Sequence, residues 1–356
     1  MDKSKQMRVL ILGISWPSET FIARLMDGLL RREVSVTVGC RKKPSQEWFN
    51  KKNFSWLPFP QAAFFIPFLK KKWDIIYLPW NSTAVENLKI FELGLPVVVS
   101  CRGAQVNIAP HNPERKQLVL GLWESFKKAK RIHCVSEDIL KEAAAFGLDI
   151  RKAAVITPAV DVNFFQPSVQ KKTDNLFKIV STGSLIWRKG YEYALMTIRK
   201  LVDAGVPVSY NIIGEGPDRQ RILYTIDDLN LSRHVHLAGS TTPEKIRDSL
   251  QAADLFLLSS VSEGISNAVL EAMACGLPIV TADAGGMREA VTDGVEGFIV
   301  PVRDPEAMAS AVLKLVESKD LRLRMGKLGR DKIMNFFSIK DQIINFKKLF
   351  SACLNE

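Results

Sequence analysis

The stretch ADLFLLSSVSEGISNAVLEAMACGLPIVTAD, residues 253–283, contains one whole unit of a fold. ADLFLLSS (253–260) and LPIVTAD (277–283) centre on short apolar runs, which suit parallel strands buried on both faces. Between them, SNAVLEAMAC has apolar residues at helical spacing. Gly276 lies just past its end and Pro278 follows, a normal stop signal. Ser266 or Asn267 is the expected N-cap. Strand, loop, helix and strand in that order make a βαβ crossover, so the sheet is parallel.

The same alternation extends outward. FKIVSTGSL (177–185), VSYNIIGEG (208–216) and VHLAG (235–239) precede this unit, and EGFIVP (296–301) follows it. The first half repeats the pattern in MRVLILG (7–13), VSVTVGC (34–40), WDIIYLP (73–79), LPVVVSC (95–101) and KRIHCVS (130–136), with helical spacing over 18–32. The expected fold class is α/β, with two doubly wound, Rossmann-like domains. ITPAVDVNFFQPS (156–168), with two prolines and a polar tail, reads as the linker. The domains are drawn at 1–163 and 164–338, and a last helix, 339–356, is expected to return to the first. Open parallel sheets bind ligands at the carboxyl ends of their strands, so a cleft between two such domains is the expected site.

At 356 residues the chain fits two domains, and its 47% hydrophobic and 24% charged content is that of a folded globular protein. No apolar run reaches the roughly 18 residues that span a bilayer, and no signal peptide is read at the N-terminus. The five cysteines show no C-x-x-C spacing and read as reduced core thiols of a cytoplasmic protein. The net charge of +11 is uneven: residues 1–165 hold 25 Lys+Arg against 15 Asp+Glu, and residues 166–356 hold 24 against 23. One half therefore carries nearly all the excess, which points to an anionic partner. Residues 48–73 mix nine aromatics with Lys51, Lys52, Lys70, Lys71 and Lys72. Such a mixture suits an anionic membrane surface; it equally suits a buried strand-loop-helix with solvated lysines. No recognition helix, zinc finger or RNA-binding signature accompanies the charge, so nucleic acid is not an expected partner.

Two carboxylates flank the start of the SNAVLEAMAC helix: Glu263 in the loop and Glu271 inside the helix. A helix N-terminus fed by a Gly-containing loop offers free N–H groups and the positive end of a dipole, which suits a diphosphate. A carboxylate on either side can accept hydrogen bonds from sugar hydroxyls. A nucleotide sugar has that layout, with a diphosphate between two hydroxyl-rich rings. No D-x-D pair, H-E-x-x-H or Cys/His cluster is present, so no metal or other cofactor is expected. No G-x-G-x-x-G follows the first strand, which excludes the common dinucleotide fingerprint.

EGISNAVLEAMACGLPIVTADAGGMREAV and GVEGFIVPVRDPEAMASAV, with STGSLIWRKGYEYAL (181–195) and IIGEGPDRQRI (212–222), resemble glycosyltransferase family 4, the retaining enzymes of GT-B fold. PSETFI (17–22) resembles the subgroup that builds exopolysaccharide and other envelope glycans. The resemblance implies transfer of a hexose from a nucleotide sugar, UDP-glucose or a related UDP-hexose foremost, to a saccharide or lipid-linked acceptor. GDP-mannose is the alternative donor, and a catalytically silent binding or scaffold protein is the alternative class. The expected location is the cytoplasm, peripheral at the inner face of the plasma membrane if residues 48–73 meet anionic lipid. The resemblance assigns Glu263 to the donor hexose, Glu271 to the ribose and Lys189 to the diphosphate. Ser184 stands where the family often has an Arg, and Arg188 is the expected replacement. Gly214, Glu215 and Gly216 would line the nucleotide site, with Gly264, Ile265, Ser266 and Asn267 at the helix entrance and Gly13 facing the phosphates from the first domain. Arg102-Gly103 stands where the family often has His-Gly near the donor sugar. Arg102 can donate hydrogen bonds but cannot act as a base. His133, His234 and His236 read as structural, which leaves His111 as the one histidine to test.

Overall fold

The computed structural model describes residues 6–58, 70–168 and 176–354. Contacts divide the chain into two units, Met1–Pro158 with Ile339–Glu356, and Ala159–Ser338. In unit 1 the described strands are β1 (Arg8–Leu12), β2 (Ser35–Cys40), β3 (Phe54–Pro58), β4 (Ile75–Leu78), β5 (Val97–Cys101), β6 (Arg131–Cys134) and β7 (Ala153–Val155). They form one parallel sheet in the order β3-β2-β1-β4-β5-β6-β7. In unit 2 the strands β8 (Phe177–Thr182), β9 (Val208–Ile213), β10 (Val235–Gly239), β11 (Leu255–Leu258), β12 (Ile279–Ala282) and β13 (Gly297–Val300) are ordered β10-β9-β8-β11-β12-β13. They too are parallel. Each sheet runs outward from a central strand and then reverses, so each has a topological switch point: between β1 and β4, and between β8 and β11. The structure thus has the two doubly wound sheets expected from the sequence.

The central strands are buried on both faces, which is why they read as continuous apolar runs: RVLIL, IIYL, VVVSC, LFLL and IVTA. Helices cover them, each burying one stripe. Helix Thr20–Leu30 buries Ile22, Leu25, Met26, Leu29 and Leu30 against one face of sheet 1. Helix Ile339–Leu354 joins the same cluster through Ile343, Phe346, Leu349 and Phe350. All five cysteines are free and buried.

Two segments differ from the sequence reading. By contacts the division falls at Pro158, five residues before the boundary drawn at 163, because residues 159–165 pack with unit 2. Val160 and Phe165 pack with Val269, Leu270 and Ile333, and Arg330 donates to the carbonyls of Val162 (3.0 Å) and Phe165 (2.7 Å). The supposed linker is anchored structure. In the 48–73 segment, residues 59–69 lie outside the described residues. Trp48, Phe54 and Trp56 lean on the sheet 1 core. Trp73 is buried and donates its indole N–H to Thr37 Oγ1 at 2.8 Å. Lys51 pairs with Asp27 at 2.5 Å. These described aromatics are packing groups.

Candidate active site

The residues singled out in unit 2 gather at its switch point. β8 ends at Thr182 and is followed by Gly183 and exposed Ser184; β11 ends at Leu258 and is followed by the loop to helix Asn267–Ala274. The turn Trp187–Lys189 is held against that loop. Val261 N donates to Arg188 O (2.8 Å) and Ser259 Oγ to Lys189 O (3.1 Å). Gly190 closes the turn at φ +59, where a Cβ would lie 2.4 Å from Ser259 O. Only glycine allows both the left-handed backbone and that approach.

This clamp brings Lys189 to Glu263 across 74 positions of sequence. Lys189 Nζ donates to Glu263 Oε1 in an ion pair whose side chains are only 13% and 9% exposed. Ser260 Oγ donates to the same oxygen at 2.7 Å. A charged pair so far from water is tolerated because both charges are matched and hydrogen-bonded. Beneath it, Tyr191 donates to Gly183 O at 3.2 Å. Burial, with smaller contributions from Tyr210 and the Glu263 charge, pushes the Tyr191 phenol well up, so it stays a donor.

Gly264, Ile265 and Ser266 are buried at the helix entrance. Ser266 is the N-cap residue but makes no side-chain capping bond. Ser262 Oγ and Asn267 Oδ1 are buried and find no hydrogen-bond partner among the described residues. Buried polar atoms are normally satisfied, so the entrance concentrates unused polar capacity. Glu271 is the fifth helical residue, roughly 7 Å along the axis from the start. Burial first, and the Glu271 charge second, push the Cys275 thiol up to about 12.

The 214–216 turn lies beside the end of β8. Leu185 N donates to Glu215 O at 2.9 Å. A Cβ on Gly214 would meet Gly183 O at 1.9 Å, so that contact requires glycine. The Glu215 side chain faces Arg219 at 3.7 Å.

In unit 1, Gly13 follows β1 at φ +79, against the Thr83 side chain. Arg102 follows β5. Its Nε donates to Pro79 O at 3.0 Å, its Nη2 donates to the Tyr77 oxygen at 3.2 Å, and its guanidinium carbon lies 4.2 Å from the Phe21 ring centre. His111 sits on the surface beside Glu142, at 3.8 Å, and edge-on to Phe146. Sequence reasoning missed Ser259, Ser260, Ser262 and Tyr191, since serines and a tyrosine in apolar surroundings carry no spacing signal. Among the described residues no group of three or more His, Cys, Asp or Glu is placed to hold a metal ion.

Residues 18–164 match the family model Glycosyltransferase Family 4, and residues 163–332 match Glycosyl transferases group 1. A galactosyltransferase of Escherichia coli, UDP-Gal:alpha-D-GlcNAc-diphosphoundecaprenol alpha-1,3-galactosyltransferase, is 27% identical over 302 residues, 79% of this chain and 76% of that one. The amylovoran biosynthesis glycosyltransferase AmsK of Erwinia amylovora is 31% identical over 181 residues, 49% and 44% of the two chains. Two putative colanic acid biosynthesis glycosyltransferases, of Escherichia coli and Salmonella typhimurium, are aligned over 68% and 60% of their own length. Anabaena HepE, solved in complex with UDP and glucose, superposes with a TM-score of 0.83 at 17% identity, over 98% of this chain and 100% of that one. A glycosyltransferase from Rickettsia africae superposes at 0.81 with 15% identity, over 99% and 100%. These likenesses agree with the two switch-point sheets: the chain carries a glycosyltransferase family 4 domain followed by a glycosyl transferases group 1 domain on the GT-B fold, and by its domains it is a glycosyltransferase.

Proposed function

We propose that the protein is a retaining glycosyltransferase that moves a hexose from a UDP-hexose, UDP-glucose foremost, to a saccharide or lipid-linked acceptor of an exopolysaccharide or envelope polysaccharide. The observation that carries this reading is the Lys189–Glu263 pair at the carboxyl ends of β8 and β11, beside the entrance of helix Asn267–Ala274. Lys189, with Arg188 and Ser184, meets the diphosphate, aided by the N–H groups from Gly264 to Asn267 and the helix dipole. Glu263 accepts from the hexose hydroxyls and Glu271 from the ribose. Gly214–Gly216 lie along the nucleotide, and Gly13 and Arg102 are the unit 1 residues assigned to the reaction. In the reaction the bond from the anomeric carbon to the diphosphate breaks and a bond to the acceptor oxygen forms on the same face. The acceptor's proton passes to the departing phosphate oxygen. Charge grows on that phosphate, and a fixed ammonium stabilises it without a metal.

The donor choice draws on HepE, solved with UDP and glucose, and on the UDP-Gal named for the Escherichia coli relative. That relative's name also includes a diphosphoundecaprenol-linked acceptor, which supports a lipid-linked acceptor here and a site of work at the cytoplasmic face of the membrane. No helix among the described residues is long and apolar enough to cross a membrane. The test is a thermal-shift panel of UDP-, GDP-, ADP- and TDP-sugars, followed by donor turnover with and without EDTA. UDP-hexoses should stabilise most, and EDTA should leave turnover intact. Preferential stabilisation by GDP-mannose makes the protein a mannosyltransferase; stabilisation by none leaves a binding or scaffold protein.

A further inference from the structure

Three polar side chains lie on one face of sheet 1 among valines and isoleucines: Tyr77 on β4, Ser100 on β5 and His133 on β6. Val98 is the registered neighbour of Tyr77, Ser100 is two residues further along the same face, and His133 is the registered neighbour of Ser100. All three are fully buried. Helix Ile339–Leu354 lies over them, with Phe346 edge-on to His133 at 4.7 Å and Phe350 edge-on to Tyr77 at 5.4 Å. Polar groups in such a place are costly unless each finds a partner, and here each does.

The directions of the bonds follow from the far end. Ile156 O can only accept, so His133 Nε2 carries the hydrogen in their 2.8 Å contact. The neutral ring then offers Nδ1 as an acceptor. Ser100 Oγ donates to it at 2.7 Å, and Tyr77 donates to Ser100 Oγ at 2.8 Å. The Tyr77 oxygen is left as an acceptor and takes a hydrogen from Arg102 Nη2 at 3.2 Å. Every link points the same way. Burial, and then the charge of Arg102, hold His133 neutral down to about 3, so this direction persists at ordinary pH.

We infer that Tyr77, Ser100 and His133 form a hydrogen-bond wire that fixes the Arg102 guanidinium at the carboxyl edge of sheet 1, with Tyr77 as its positioning residue. The inference rests on the proposed function, in which Arg102 is assigned to the reaction. The wire, Pro79 O and the Phe21 ring fix the guanidinium plane. Two of its five N–H donors are used in these bonds, which leaves three for a sugar hydroxyl or phosphate oxygen. An arginine held this way works as a fixed cation and donor, never as a base. The C-terminal helix, by packing on His133 and Tyr77, becomes part of what aligns a residue at the carboxyl edge of the sheet.

Tyr77→Phe keeps the ring and removes only the oxygen. It should lower kcat for transfer about tenfold while KM for the donor stays within about twofold and the melting temperature is preserved. Ser100→Ala, one link further away, should act in the same direction. In an Arg102→Ala background, Tyr77→Phe should cost nothing more, because the group it positions is gone. Wild-type kcat in both variants, or losses that add fully to that of Arg102→Ala, overturns the wire. A wild type that turns over no nucleotide sugar overturns the functional reading and this inference together. An active wild type matched by an equally active Tyr77→Phe overturns this inference alone.

Discussion

Lys189 and Arg102 are both cations just beyond a strand's carboxyl end, yet they are held in opposite ways. Lys189 is held by a carboxylate, so its surroundings are close to neutral overall. Arg102 is held by a carbonyl, a phenol and an aromatic face, so its charge has no counter-charge among these partners. An anionic ligand at Lys189 has to compete with Glu263 for the ammonium. At Arg102 it meets no such competition. On the proposed function, unit 2 would exchange one anion for another at Lys189, and unit 1 would present a standing positive charge at Arg102. The charge count divides in the same sense: residues 1–165 carry 25 basic against 15 acidic residues, and residues 166–356 carry 24 against 23.

The largest effect expected from this contrast is at Lys189. Lys189→Ala should slow transfer by two or more orders of magnitude, since a fixed group acting on developing charge is worth roughly 3–4 kcal/mol. It also leaves the buried Glu263 carboxylate without the Lys189 counter-charge, which costs about 3–5 kcal/mol of stability. Lys189→Met with Glu263→Gln should recover the melting temperature and not the activity. Arg102→Ala strands no carboxylate, so its melting temperature should fall much less. If calorimetry shows equal losses for the two single variants, the contrast between an exchanged pair and a standing cation is wrong.

The next effect is in pH, and it separates the neutral wire from the charged pair. His133 has its pKa lowered from 6.5 to about 3, chiefly by burial. Between those values the unfolded chain holds a proton that the folded chain does not. Its contribution to stability is therefore complete above about pH 6.5 and is lost as pH falls toward 3. The slope is about 1.4 kcal/mol per pH unit. His133→Asn removes this titration, so chemical denaturation at pH 5 and pH 7 should give a pH dependence shallower than wild type by about 2 kcal/mol over the interval. Identical pH dependence in the two proteins would show that His133 is not held neutral by the fold.

Glu271 tests the exchange reading from the other end of the helix. If Glu271 binds the ribose as proposed, its loss should weaken nucleoside diphosphate binding by about 1–3 kcal/mol, read by calorimetry. The Lys189–Glu263 pair is untouched in this variant, so donor chemistry should slow far less than in Lys189→Ala. Unchanged affinity removes Glu271 from the ribose site.

Much of this was legible in the sequence. The central strands were, because burial on both faces writes itself as unbroken apolar runs such as LFLL and VVVSC. The edge strands β3 and β7 were not. FSWLP is half-buried or exposed along its length, and AAV is three half-buried residues, so neither has a clear period. Residues 159–165 read as a linker because their prolines and polar residues hide two anchors, Val160 and Phe165, whose partners lie more than 100 positions away. In the site, Glu263, Lys189 and Glu271 stood out by motif, but the pairing of the first two did not. That contact depends on the Gly190–Ser259 approach, which no spacing rule encodes. The wire was invisible for a related reason. Its residues sit singly on three strands and meet only when β4, β5 and β6 come into register.

The smallest expected effect concerns the partner of the basic half. Of the five lysines in 48–73, Lys51 is occupied by Asp27, and Lys52, Lys71 and Lys72 are exposed. Lys71 and Lys72 belong to the turn Lys70–Lys72 just before β4, and neither makes an ion pair among the described residues. Trp48, Phe54, Trp56 and Trp73 are engaged with the core. The attraction that can be argued from the described residues is thus electrostatic. Each lysine near an anionic lipid surface contributes about 1 kcal/mol, so Lys71→Ser with Lys72→Ser should weaken binding to anionic vesicles by about 2 kcal/mol. The interaction should fade with added salt, because exposed charges are screened beyond about 10 Å at 0.1 M. Co-sedimentation with vesicles with and without phosphatidylglycerol measures both, and donor turnover in the double variant should match wild type. Wild type that ignores anionic vesicles at low salt makes these lysines a solvated surface and favours a soluble acceptor. Binding that survives high salt would instead point to aromatic insertion, with residues 59–69 as the segment to change next.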